Sequence, residues 1–412
     1  MRLRLSALAV GLLLGAAPQH KAPPAARFSL LVPSGPYFSG SRVPINVSGI
    51  SGRYSLSVLG AGKIENGVFV APVLSQPAWS LLVGAAPGAV ATAWIRTIPP
   101  PSGRRGVVAV AAYRSGITLH NPQTFALLGT IAIGGVPADV AFLPDGSLVT
   151  ADTDGDYLTL ISRAGWHVRQ IGGVSEANEI AVDPADGTIF VSDRDVNGKG
   201  ALTRITPGGN VSRVITGETA EGIALDPQRA LVYVGNVNDG TVAVIDARDM
   251  RVVQAFYSVE RPFGLAIDNR VRRLFVVSNV SPSMSAHGGY VAAFDLQAAH
   301  PRMVARSASM IFPLGIAFDS RTNRLFVSDE ATNKLYVLDS RSLRAAHAPL
   351  ATCATPWRPY VSDGRLYVPC SRSNRVDIFT LKTLRRIPGS PFPTGAYPLS
   401  IAEWRPAAAG RH

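Results

Sequence analysis

The chain has 412 residues, 47% of them hydrophobic and 17% charged, with 39 Gly, 31 Pro and a net charge of +12. This supports a sizeable core made of many short elements joined by turns rather than of long helices. The basic residues are scattered, mostly as single Arg at strand ends with no basic run of five or more, which argues against a nucleic-acid-binding stripe.

The N-terminus reads as an export signal. Arg2 and Arg4 precede a largely apolar stretch from Leu5 to Leu14, and Gly15-Ala16-Ala17 follows. The stretch is too short to span a bilayer, no cysteine follows it to carry a lipid, and no later segment is long and apolar enough to cross a membrane. Residues 1–26 are expected to be a signal peptide and leader, and the mature chain to be periplasmic or extracellular. The only two cysteines, Cys353 and Cys370, fit an oxidising compartment.

Residues 27–97 contain strand-like runs at Phe28–Val32, Tyr54–Leu59, Gly67–Ala71 and Trp79–Val83, separated by Gly and Pro. A segment of this length and pattern suits a small β-sandwich. Gly60 to Pro72, GAGKIENGVFVAP, resembles the bacterial Ig-like signature in which a Gly-Ile strand leads to Gly-x-Phe-x-Ala-Pro. Residues 98–105 form a Pro-rich linker, which is expected to restrict the angle between this domain and the next.

From residue 106 to 405 the chain repeats. PLGIAFDSRTNRLFVSDEATNKLYVLD (Pro313 to Asp339) and AEGIALDPQRALVYVGNVNDGTVAVID (Ala220 to Asp246) share one grammar: apolar strand, polar turn, strand ending in a small or polar residue, loop, strand ending in Asp. The anchors Ala141, Ala181, Ala224, Ala266, Ala317, Tyr360 and Ala402 are separated by 40, 43, 42, 51, 43 and 42 residues. Four short strands per period of this length are the mark of a propeller blade. A small residue at the anchor is expected to let neighbouring inner strands approach. The last strand, PLSIAEW, has no repeat after it, and Gly106 to Ile133 supplies three strands lacking an inner one. The expected fold is therefore all-β: a seven-bladed β-propeller closed by the C-terminal strand, after a small N-terminal Ig-like β-sandwich. Residues 406–412 are expected to be a flexible tail.

The pattern [FY]-V-[SG]-[DN], found at Phe190–Asp193, Tyr233–Asn236 and Phe326–Asp329, resembles the YVTN and NHL-type propeller repeats. The resemblance covers about three quarters of the chain and implies fold, not activity, since such propellers serve as binders, scaffolds, lactonases, lyases and dehydrogenase subunits. The sixth unit departs from the pattern, with Tyr360 in place of Ala and Pro369-Cys370 in place of the small-Asp pair.

Ligands of a propeller meet the loops on one rim of the central channel. The expected rim residues are Asp139, Glu179, Glu221, Asp193, Asn236, Arg261, Trp357, Arg358 and Arg372. The acids come from the first full repeats, while Arg358 and Arg372 come from the sixth. An electrostatically divided rim suited to a dipolar or zwitterionic ligand follows. Glu179, Glu221, Asp193 and Asn236 are hard oxygen donors that could hold Ca²⁺, as in lactonase-type propellers. The competing reading has Asp193, Asn236 and Asp329 only capping turns. His287 lies in the inserted loop behind the 51-residue interval and could act as a rim base, as in virginiamycin-lyase-like propellers, with Glu221 the other catalytic candidate. No haem-attachment, P-loop or GxSxG motif occurs.

Ser362-Asp363-Gly364 reads as a tight turn. With Ser362 opposite Arg365, Trp357 falls opposite Cys370, and Cys353 leaves the ladder nearby, so a Cys353–Cys370 disulfide is expected. The leading functional expectation is an exported module that binds a protein or small molecule at the rim. The alternative is a lactonase-like hydrolase or lyase. No nucleic-acid partner, membrane span or obligatory cofactor is expected.

Overall fold

The computed structural model describes residues 27–32, 35–99, 106–133, 135–163, 167–298 and 300–406. The expected signal peptide, residues 100–105 of the linker and the tail beyond residue 406 lie outside the described residues.

Short β-rich runs bounded by Gly, Pro and Asp turns fold into antiparallel sheets. Six four-stranded sheets, each made of four consecutive strands, follow one another from Pro137 to Pro393. A further four-stranded set draws on both ends of the repeat region. Pro398–Trp404 pairs antiparallel with Val107–Ala112, which puts Ile401 opposite Val110, and Gly116–His120 and Leu127–Ile131 complete the set. The inner strands Pro137–Phe142, Ala177–Val182, Ala220–Asp226, Pro262–Asp268, Pro313–Asp319, Tyr360–Ser362 and Pro398–Trp404 each contribute residues to, or adjoin, one central cavity. The result is a β-propeller-like all-β fold. The only helix among the described residues is the single turn Ser371–Ser373, and none is long and apolar enough to cross a membrane.

One register position recurs. The residue that opens the inner strand lies opposite Asp152, Asp193, Asn236, Ser278, Asp329 and Cys370 in successive sheets. Most of these side chains tie down the segment that enters the sheet, while Asp152 is held by Thr150 and Thr159 of its own sheet. Asp193 accepts the Ser175 amide at 3.1 Å, and Asp329 accepts the Ile311 and Phe312 amides at 2.9 and 3.2 Å. In the sixth sheet the same tie is covalent: Cys370 is disulfide-bonded to Cys353 of the incoming loop, with Cα atoms 5.7 Å apart. Pro356, not Trp357, faces Cys370. The other inner strands show the same one-residue slip after their first residue, because each carries a bulge there.

The turns on the far side also share a design. Phe125, Met250, Leu343 and Leu384 adopt left-handed backbone (φ 58°, 56°, 56° and 55°), and each donates its amide to the carbonyl four residues earlier. This conformation is unfavourable for a residue with a Cβ. Burial of the four side chains offsets it. Much of the basic charge is committed on the same side. Arg204 donates to the Ala247 and Arg248 carbonyls, Arg273 to Ser340 and Arg341, Arg324 to Leu381 and Arg365 to Pro122. Each guanidinium therefore fastens one sheet to a turn of the next, which is why the net charge does not gather into a stripe.

The N-terminal residues form a smaller all-β unit around Leu30, Val43, Phe69, Leu82 and Ile95. The short strand Tyr37–Phe38 pairs on one side with Thr97 and Ile98 and on the other with Thr130 of the repeat region. One eight-stranded sheet thus runs through both parts. Phe38 and Ile98 also pack with Val107, Leu119 and Ile131. Shared strand pairing and a shared core fix the two parts against each other.

Candidate functional site

The third residue of each inner strand, or of the segment leading into it, stands at one level of the central cavity. In chain order these residues are Asp139, Glu179, Gly222, Gly264, Gly315, Arg358 and Ser400. Except at Arg358, which reaches farther, this position faces the following inner strand, and its identity decides how two strands meet. At the glycines the backbones touch. A Cβ on Gly222 would lie 2.1 Å from the Phe263 carbonyl oxygen, one on Gly264 2.6 Å from that of Leu314, and one on Gly315 2.8 Å from the Arg358 Cα. The sequence assigned this spacing role to the Ala anchors; the closest approach belongs instead to the glycines, since a methyl group is already too large there.

At the acids a carboxylate bridges the gap. Asp139 accepts the Ile180 amide at 2.8 Å, and Glu179 accepts the Ile223 amide at 2.7 Å. Ser400 donates its hydroxyl to Asp139. Arg358 reaches across from the sixth unit. Its guanidinium lies 3.3 Å from Glu179 and 3.4 Å from the Ala138 carbonyl. Both side chains keep little surface, 12% for Arg358 and 19% for Glu179, and both line the cavity of about 330 Å³.

Glu221 extends this band toward the rim. Only 2% exposed, it receives the Asn178 amide on one oxygen and an ion pair from Arg194 at 2.8 Å on the other. A second cavity, about 420 Å³, opens above it between Arg194, Arg261, Asn238 and Phe263, with Glu176 and Asp195 at its border. Phe263 lines both cavities. Arg261 donates its Nε to the Asn279 carbonyl at 3.2 Å and stands in left-handed backbone, as do Glu176 and Thr219 beside the same cavity. Such strain collects where a loop must hold a set shape.

Burial dominates the electrostatics. It pushes the Glu179 carboxyl up to about 7 despite the opposing pull of Arg358. Burial raises Glu221 as well, with Arg194, Arg358 and Arg261 acting against it. For Arg358 burial alone would lower the guanidinium, but Glu179, Asp139 and Glu221 outweigh it and hold it above its ordinary value. Acidic and basic side chains expected to face each other across the rim are therefore paired. Arg358–Glu179 and Arg194–Glu221 are two ion pairs, and Asp139 and Glu221 both act electrostatically on Arg358.

The other expected site residues stand apart. Asp193 accepts the Thr203 hydroxyl and pairs with Arg213 at 3.2 Å, and burial raises its carboxyl. Asn236 bonds Thr216 and Thr241. The four residues considered for Ca²⁺ thus commit their oxygens to separate partners. Among the described residues, the only His, Cys, Asp or Glu trio with donor atoms in ligating proximity is Cys353, Cys370 and Asp377, whose sulfurs are already bonded to each other. Trp357 is placed through its backbone, which donates to the Pro369 carbonyl at 2.8 Å. Arg372 is exposed and acts on Glu330, whose carboxyl burial raises. His287 is exposed in the inserted loop and borders neither cavity; its carbonyl accepts the Ser309 hydroxyl at 2.7 Å. The buried histidine is His120, held between Thr118 and the Phe125 carbonyl and lowered by burial to about 4. Ser400 and the three glycines escaped the sequence reading. Aligning the repeats and reading their third inner position as a column would have found them.

No family model matches the chain, and no curated protein does. Solved structures share its fold. One is a protein of unknown function from Desulfotomaculum acetoxidans, with 17% identity, TM-score 0.58, and 74% of this chain and 100% of the other covered. Another is a candidate 6-phosphogluconolactonase from Bacteroides fragilis, with 11% identity, TM-score 0.58, and 74% and 99% covered. A third is apo AztD from Citrobacter koseri, with 10% identity, TM-score 0.54, and 73% and 98% covered. At such identities the likeness concerns fold alone.

Proposed function

We propose that the chain is an exported, seven-bladed β-propeller of the YVTN/NHL type, preceded by an Ig-like domain and closed by Pro398–Trp404, and that it binds a small zwitterionic ligand at its rim without transforming it. The observation that carries this reading is the cavity above Glu221. Arg194 and Arg261 face it with guanidinium groups that their ion pair and single backbone bond do not exhaust, and Glu176 and Asp195 border it. An arginine pair facing a cleft suits a carboxylate, and the bordering acids suit an ammonium group. The volume fits a ligand of amino-acid or dipeptide size. Export is supported by the Arg2–Leu14 pattern and by the Cys353–Cys370 disulfide, which needs an oxidising compartment.

Calorimetry with a panel of amino acids and dipeptides, with neutral sugars as controls, tests the reading. Binding by a zwitterion that Arg194→Ala/Arg261→Ala weakens at least tenfold is expected. Absence of any binder in the panel, or binding unchanged in that variant, refutes it. The lactonase-like alternative rests on the candidate lactonase neighbour and on Glu179 titrating near neutrality. A lactone-hydrolysis activity abolished by Glu179→Gln or Glu221→Gln would favour it over simple binding.

A further inference from the structure

Among the described residues, nothing covers one sheet face of the N-terminal unit. Three of its strands, Ser55–Leu59, Ala78–Ala86 and Ala89–Ile98, pair antiparallel at the end of the eight-stranded sheet. Alternate residues on one side enter the core through Leu82, Ala91 and Ile95. The other side aligns Leu59 with Leu81 and Trp94, Ser57 with Val83 and Thr92, Ser55 with Ala85 and Val90, and Trp79 with Arg96, so that three hydroxyl residues interrupt an otherwise apolar face. Strand alternation should place polar residues here. Instead Leu59, Trp79, Val90 and Trp94 are 62%, 59%, 68% and 62% exposed. The single charge on this face is Arg96, which lies 5.9 Å from the Trp79 ring.

From this we infer that the face is a docking surface for an anionic lipid bilayer. Charge complementarity selects the occupant. The face carries a cation and no acid, on a chain of net charge +12. Two tryptophans, aliphatic neighbours and an arginine are the combination that settles at a headgroup boundary, with rings among the acyl carbons and the guanidinium at the phosphates. A polysaccharide would want flat, parallel rings, whereas Trp79 and Trp94 meet edge-to-face at 87° and 6.4 Å between centroids. The inference does not depend on the rim ligand, which sits on other residues.

Co-sedimentation with sucrose-loaded vesicles tests it, using phosphatidylcholine alone and phosphatidylcholine containing one part in three of phosphatidylglycerol. The full chain should pellet with the anionic vesicles, with its tryptophan emission shifted to the blue. Trp79→Ser/Trp94→Ser should reduce the bound fraction at least tenfold while its melting temperature stays that of the parent, and Arg96→Glu should reduce it as well. Failure to pellet, equal binding to both vesicle types, or binding that the double serine variant retains would each overturn the inference. So would a concentration-dependent dimer, or binding to a polysaccharide, that the serine changes abolish while vesicles bind nothing.

Discussion

Asp152 offers a direct measurement of what burial costs at the recurring register position. The side chain is fully buried. Its two oxygens accept the Thr150 and Thr159 hydroxyls at 3.2 and 2.6 Å. Burial raises its carboxyl from the ordinary 3.8 to about 7, and the two hydroxyls only partly oppose this. For an acid displaced upward, the folded state holds the proton more tightly than the unfolded one. Between about pH 4 and pH 7 the folded chain therefore binds more protons, and stability falls as pH rises through that window before levelling above it. At about 1.4 kcal/mol per pH unit the span amounts to about 4 kcal/mol. Asp152→Asn removes the charge and keeps one acceptor. The chain itself uses Asn at the equivalent position, Asn236, where the amide is fully bonded to Thr216 and Thr241. Urea denaturation of both proteins at pH 5, 6, 7 and 8 is the assay. The variant should gain on the parent steadily from pH 5 to 7, reaching a few kcal/mol by pH 8. Glu179 titrates in the same window but is common to both proteins, so the difference isolates Asp152. A difference that stays flat across these pH values, or a variant less stable at pH 8, would refute the argument.

Three further outcomes follow from the same geometry. Arg358→Ala should cost about 3–5 kcal/mol at pH 8, because Glu179 and Asp139 lose their buried counter-charge. The loss should shrink at pH 5, where Glu179 holds a proton, and adding Glu179→Gln should recover part of it; denaturation of the single and double variants reads both effects. Replacing both cysteines by Ala opens a loop of sequence separation 17 and should lower stability by about 3 kcal/mol, seen as a drop in thermal midpoint under non-reducing conditions. Gly222→Ala should destabilise by about 2 kcal/mol or more, and more than Gly315→Ala, since its added carbon meets a backbone oxygen at 2.1 Å rather than a backbone carbon at 2.8 Å. Equal midpoints for the two alanine variants would remove the glycine joints from the account of how the inner strands meet.

The legible part of the site was its membership, not its arrangement. Asp139, Glu179, Glu221 and Arg358 stand out because they are polar residues inside otherwise apolar inner-strand motifs, and a polar residue at an apolar position is a local signal. What they do to one another is not local. Arg358 is 179 positions from Glu179 in the chain, and only the curvature of successive sheets brings its guanidinium to that carboxylate. Asp193 and Asn236 were different: the sequence also offered them a local role in holding nearby backbone, and they serve the loops that enter their sheets.

Sequence alone determined the repeat length, the pairing of the last strand with the first of the repeat region, and the position of the cysteines. Each follows from alternation, turn residues and spacing, which act over a few neighbouring residues. Tertiary structure decided the rest: that three glycines and four polar side chains share one level of the central cavity, that Tyr37–Phe38 joins the N-terminal strands and the repeat region into one sheet, and that two tryptophans are left facing outward. Those outcomes depend on contacts between segments far apart in the chain, and the free energy of such contacts is set by how surfaces fit once folded rather than by any residue's local preference.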